Sequence, residues 1–172
     1  MKRKGFLLVA MAILFTMTTM AQKFALIDME YILSNIPAYE MTNEQLSQLS
    51  KKWQNEIDVL QQEAQNMYKS YQSDLVFLSA EMQSERQKAI VQKEQDAMEL
   101  KRQYFGTDGE LFQRRSSLMK PIQDEIYNAL KDVATDKGYQ LVLDRASAMN
   151  IFYASPQIDI SDEVLVKLGY SK

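Results

Sequence analysis

Tyr39 to Met119 reads YEMTNEQLSQLSKKWQNEIDVLQQEAQNMYKSYQSDLVFLSAEMQSERQKAIVQKEQDAMELKRQYFGTDGELFQRRSSLM, and this stretch decides the fold. It contains no proline, and its only two glycines, Gly106 and Gly109, lie near its far end. Ala, Leu, Met, Glu, Gln and Lys, all strong helix formers, dominate it. Eighty residues of helix would span roughly 120 Å at 1.5 Å per residue. A domain of 19.9 kDa cannot house a rod of that length, so the stretch must fold back on itself. The reading is two long antiparallel helices joined at a tip, with the chain ends brought together at the other extremity.

The descending half carries one apolar stripe. Leu46, Leu49, Trp53, Ile57, Leu60, Ala64, Met67, Tyr71, Leu75 and Leu78 follow each other at spacings of three or four. From Leu49 to Leu78 the steps group as 11, 7 and 11 residues, about 3.6 per turn, which predicts a nearly straight rod. The tip is expected near Leu78–Met82, with Ser79 as N-cap and Glu81 in the first turn of the next helix.

The ascending half differs. Ile90-Val91, Ala97-Met98, Tyr104-Phe105, Leu111-Phe112 and Leu118-Met119 are apolar doublets seven residues apart. The layers between them are mostly polar: Lys93-Glu94, Thr107-Asp108 and Arg114-Arg115, with Leu100 the exception. Adjacent helical residues point about 100° apart, so one member of each doublet faces the partner helix and the other faces elsewhere. That second line is Val91, Met98, Phe105, Phe112 and Met119. It either widens the buried stripe of a bundle or presents sticky side chains to another chain. Gly106-Thr107-Asp108-Gly109 interrupts this half and predicts a kink or hinge opposite the Glu56 region, with Gly106 and Gly109 as its hinge residues.

The flanks read as a small mixed body. Phe24-Ala25-Leu26-Ile27 is a short buried strand and Glu30–Asn35 a helical turn ended by Pro37. Lys120-Pro121 is expected to end the ascending arm. Ile122, Ile126, Leu130 and Val133 then form a compact helical stripe closed by Lys137-Gly138. Tyr139–Asp144 and Ile151–Ala154 both read as strands, and Ser161 as the N-cap of a last helix to Leu168, with Gly169 after it. The two arms match at about 37 residues each, Thr42–Leu78 and Ser84–Lys120, roughly 55 Å apiece. Strands on either side of the hairpin must share one body, of about 70 residues. A body that small, with open sheet edges, points to oligomerisation.

Met1-Lys2-Arg3-Lys4 followed by the uncharged apolar run Gly5–Met20 and the small residues around Ala21 reads as a signal peptide, residues 1–21, cleaved near Ala21. Its removal leaves 17 basic against 23 acidic residues, a balance of −6, which argues against nucleic acid as partner. Cys and His are absent, so disulfides, a thiol nucleophile, a Cys/His zinc site and histidine acid/base chemistry are excluded. No phosphate-binding G-x-x-x-x-G-K-[ST] occurs, and Asp108-Gly109-Glu110 lacks the repeated ligand spacing of a calcium loop. No cofactor, metal or catalytic residue is expected. Asp28 and Asp144 each end a strand and are read as caps or as ion-pair partners of Arg145 rather than as an acid/base pair.

Lys23-Phe24-Ala25-Leu26-Ile27-Asp28-Met29-Glu30 with Ile36-Pro37-Ala38 resembles the opening of the Skp/OmpH family of periplasmic chaperones. Gly138–Arg145, Tyr153-Ala154 and Asp159–Leu165 are similar to its close. The resemblance implies an α+β fold: a long antiparallel helical hairpin (coiled-coil arm, 39–121) on a small β-barrel body (22–38 and 122–172) formed by trimerisation. It also implies an ATP-independent holdase that binds unfolded outer-membrane proteins in the cavity between the arms. Met-rich, aromatic surfaces suit such breadth of binding, and the chain has 11 Met. The client-facing residues are then expected to be Tyr68, Val76, Phe77, Met82, Val91, Met98, Phe105, Phe112 and Met119. Residues 69–94 are neutral, with Lys69, Arg86, Lys88 and Lys93 against Asp74, Glu81, Glu85 and Glu94. That balance argues against lipopolysaccharide or an acidic membrane surface as partner. A structural coiled-coil adaptor or tether of the periplasm is the alternative reading.

Overall fold

The computed structural model describes residues 23–148 and 151–170; the expected signal segment and its cleavage position lie outside them. The order is β1 (Phe24–Ile27), α1 (Met29–Ser34), α2 (Pro37–Asp74), α3 (Ala80–Phe105), α4 (Glu110–Lys137), β2 (Leu141–Asp144) and α5 (Ser161–Lys167). Single 3-10 turns occur at Leu75–Phe77 and Pro156–Ile158. No helix among the described residues is long and apolar enough to cross a membrane.

α2 is 38 residues without a break, about 57 Å. Pro37 opens it at a position where the missing N–H has no partner to lose. Leu46, Trp53, Ile57, Ala64 and Tyr71 of its stripe are buried, as are Ile90 and Ala97 of α3. Polar links brace the seam at intervals. Tyr104 Oη donates to Glu56 at 2.8 Å, Lys93 pairs with Glu63 at 2.9 Å, and Arg86 pairs with Asp74 at 2.8 Å. Sequence separation across the seam falls from 48 at the first of these to 12 at the last, half of the difference on each arm, so neither helix slips past the other.

The tip falls where the sequence places it. Leu78 is extended, and Ser79 Oγ accepts from Met82 N–H at 3.3 Å to cap α3. The buried stripe stops at Tyr71 rather than running to Leu78, because α3 begins only at Ala80 and polar contacts finish the seam. Gln87 donates to Tyr71 Oη at 2.7 Å and Gln83 to the Leu78 carbonyl at 3.1 Å.

In the body, β1 and β2 pair in parallel, Phe24 opposite Leu141 through Ile27 opposite Asp144. On β1's other side, Leu26 bridges to Asp159, and Ile160 N–H donates to the Leu26 carbonyl at 2.9 Å. Ala25 and Ile27 turn inward onto Ile32, Ile36, Ile122, Ile126, Ala129, Val133, Ile160, Val164 and Leu165. Each fully buried branched side chain among these contributes roughly 1.5–3 kcal/mol. Gly138 ends α4 in the left-handed region (φ 73°), its N–H reaching the carbonyls of Ala134 and Thr135.

Three expectations need correction. Lys120-Pro121 does not end the arm: Pro121 sits inside α4, which runs unbroken from Glu110 to Lys137. Ser117, whose carbonyl loses its i+4 donor, and Pro121 are both exposed, so water can satisfy the freed acceptor. Met119 on one side and Ile122 and Ile126 on the other are held in the body core, which keeps the two halves of the helix in line. Ile151–Ala154 is not a strand. β1 already has a neighbour on each side, and the segment pairs with no strand among the described residues; Phe152 and Tyr153 stand almost fully exposed. Ser161 is the first helical residue rather than the cap, which is Ile160. Its hydroxyl instead donates to Asp159 Oδ1 at 2.6 Å and accepts from Asp28 N–H at 2.8 Å, tying β1's end to α5.

Pro121→Ala restores one helical hydrogen bond without disturbing the core. It is expected to raise stability by on the order of 1–3 kcal/mol, read as a later midpoint at unchanged slope in urea unfolding.

Candidate functional site

The arm holds most of the exposed large apolar side chains among the described residues, and the doublets of its ascending half determine part of that surface. Ile90 and Ala97 are buried, while their neighbours Val91 and Met98 stand 49% and 62% exposed. Val91 and Met98 are two turns apart and therefore on one side of α3. Beyond the break, Phe112 is exposed and Leu111 partly buried. At the tip, Val76 and Phe77 occupy the 3-10 turn and are 87% and 86% exposed, with Leu75 and Met82 less so. Tyr68 on α2 is half exposed.

Two members of the second line turn inward instead. Phe105 is partly buried and meets Trp53 edge-on at 6.4 Å between ring centroids. Met119 packs against the body core. Phe105 is the last residue of α3, beside the break, and Met119 sits at the arm's root, where α4 enters the body core. Met41 and Val59 of α2 are exposed apolar residues that the stripe reading passed over. Val59-Leu60 is itself a doublet, the same pattern that marked the other arm.

The break at Gly106–Gly109 separates α3 from α4. Neither glycine has positive φ; close approach is what excludes a side chain at Gly109. A Cβ there would meet the Gln103 carbonyl and the Gly106 nitrogen at 2.8 Å and the Tyr104 carbonyl at 2.9 Å. Just before the gap, the aromatic rings that end α3 pack on the other arm. Trp53 stacks on Tyr104 with centroids 4.6 Å apart and planes 9° from parallel, an arrangement worth about 0.5–1.5 kcal/mol beyond area burial. The hydrogen bond to Glu56 raises the pKa of the Tyr104 phenol, with desolvation and the Glu56 charge adding to it.

The carboxylates at the strand ends act as structure. Asp28 caps α1 through Tyr31 N–H (2.9 Å) and pairs with Arg145 (3.1 Å), which also reaches Asp159 (3.4 Å). Asp144 accepts from the amides of Met29 and Ala146 at 3.1 and 3.0 Å. Burial pushes the Asp144 carboxyl up, but hydrogen bonds from Ser147 and from the Met29, Ala146 and Ser147 amides outweigh it and hold it below its ordinary value. Among the described residues no group of three or more His, Cys, Asp or Glu is placed to hold a metal ion.

A phenol whose folded pKa lies above its unfolded one stabilises the fold fully below the unfolded value, and that contribution is lost as pH rises through the folded one. Tyr104→Phe is therefore expected to remove one upward-shifted phenol from an ultraviolet tyrosinate titration. It should also flatten the loss of stability above pH ~10.

Comparison with known proteins agrees with this architecture. The family described as outer membrane protein (OmpH-like) matches residues 23–168. Chaperone protein Skp of Yersinia enterocolitica is 27% identical over 147 residues, 84% of this chain and 85% of that protein. Chaperone protein Skp of Pectobacterium atrosepticum is 28% identical over 146 residues, 84% of each. A crystal structure from Caulobacter crescentus CB15, described as an outer membrane chaperone (OmpH-like), superposes with a TM-score of 0.68 over 84% of this chain and 82% of that one. At 13% identity it supports the fold alone. The chain belongs to the OmpH-like outer membrane protein family.

Proposed function

We propose that this chain is an ATP-independent holdase of the periplasm that keeps unfolded outer-membrane proteins between the helical arms of a homotrimer. The observation that carries the reading is the set of exposed apolar side chains spaced along the arm: Val91, Met98 and Phe112 on the ascending half, Tyr68 on α2, and Val76, Phe77 and Met82 at the tip. Such contacts are weak and non-directional. Several arms acting together would turn them into useful affinity through effective concentration, without selecting one sequence. Relatives that carry the name chaperone support the same role.

The body supports assembly. Phe24, Leu141 and Leu143 form an exposed apolar face on a sheet that has two strands among the described residues. β2's outer edge has no partner among the described residues, and Phe152 and Tyr153 lie in a segment without regular structure nearby in sequence. In the trimer, a strand from the neighbouring copy completes the sheet into a barrel, which would give residues 22–38 and 122–172 the role of hub and 39–121 that of arm. The Gly106–Gly109 break acts as the hinge that lets arms adjust to guests of different size.

Suppression of light scattering when a denatured outer-membrane barrel protein is diluted beside the chain tests the holdase reading. Met98→Asp with Phe112→Asp should lose most of the suppression and leave the oligomer's sedimentation unchanged. No suppression by the unaltered chain at stoichiometric amounts would favour a structural tether instead. For the hinge, backbone amides from Tyr104 to Glu110 are expected to exchange hydrogen faster than the flanking turns of α3 and α4. Equal rates would make the break a fixed kink.

A further inference from the structure

The polar layer at Arg114-Arg115 leaves the seam between α2 and α4 unfilled. Leu111 and Leu118 are seven residues apart, and no apolar side chain of α4 occupies the turn between them. The result is a groove of about 430 Å³ at the arm's root, walled by Leu46, Leu49, Trp53 and Leu118. Lys52 and Arg114 stand on its rim. Arg114 is exposed and forms no ion pair with any described residue. Lys52 makes only a 3.9 Å contact with Glu56. Gln45 and Gln48 also line the groove, and their amides make no hydrogen bond to another described residue. In a chain of net negative charge, this is a partly apolar groove beside one unpaired guanidinium, a loosely paired ammonium and free amide groups.

We propose that this groove is a recognition subsite for an extended polypeptide segment in which an acidic residue adjoins a large apolar one. The apolar side chain enters against Trp53 and Leu49, Arg114 takes the carboxylate, and Gln45 and Gln48 meet the backbone. An acyl chain fits less well, because Gln45, Gln48 and Lys52 interrupt the apolar wall at nearly every turn of α2. The inference deepens the holdase reading and rests on it: it names the kind of client segment that the arm's root selects.

Trp53 is the only tryptophan in the chain and lines the groove, so its emission reports occupancy. The probes are a blocked, tryptophan-free tetrapeptide with adjacent glutamate and phenylalanine, its glutamine counterpart, and dodecyl phosphate. The acidic peptide should shift Trp53 emission saturably and bind about tenfold more tightly than the glutamine peptide. Arg114→Gln should erase that difference while leaving the glutamine peptide's binding unchanged, and Arg114→Lys should restore part of it. Equal binding of the two peptides overturns the proposal. So does a silent tryptophan with no heat in a calorimetric titration, or saturation by dodecyl phosphate alone, which would make the groove a lipid site. Normal suppression of client aggregation with no peptide binding sinks the subsite only. Peptide binding without suppression sinks the holdase reading only.

Discussion

Everything in this molecule depends on two four-residue strands finding each other across the length of the chain. The β1–β2 pairing, reinforced where Met29 N–H reaches Asp144 from 115 residues away, joins the ends of a very long loop. Closing a flexible loop of that size costs about 4 kcal/mol beyond a constant term. Eight strand residues could hardly offset that alone. The arms remove most of the cost, because a helical hairpin zips from its tip through local contacts and delivers both ends to one place. Equal arm length is therefore a condition for having a body at all.

The same logic explains what could be read in the residues beforehand. Spacing alone located the buried stripe of α2, Ser79's cap and the break opposite Glu56, because these depend on neighbours within a few turns. Gly138 announced the end of α4 for the same reason. Pro121 misled because its local preference is to break a helix, whereas Met119, Ile122 and Ile126 are gripped by elements distant in sequence that hold the helix together. Ile151–Ala154 has the composition of a strand, but a strand is a relation between two segments, and composition cannot name the second one. The inward turn of Phe105 depended on Trp53 arriving from the other arm, which the doublet pattern of one helix could not register.

The candidate site was legible in outline and not in detail. Alternation within the doublets left the second line open between buried stripe and presented surface; with Ile90 and Ala97 committed to the seam, Val91 and Met98 stand exposed. Nothing in the pattern announced that the polar layer at Arg114 would open a groove, although the layer itself was visible. Missing apolar residues show in a sequence as an absence. Whether neighbours collapse over the gap or leave it open is decided by packing between helices.

The arm's two rails are built differently. α2 is continuous from Pro37 to Asp74, whereas the return rail is cut at Gly106–Gly109, and its lower piece is one helix rooted in the hub as far as Lys137. A beam with one solid flange and one spliced flange has unequal stiffness in opposite directions. On the upper side of the splice, the stack of Trp53 on Tyr104 ties the end of α3 to the solid rail. Forces that close the splice drive Gly109 into backbone it already touches. The limb's two bending directions are therefore not equivalent: one is borne by an unbroken helix, the other is limited by close backbone packing at Gly109.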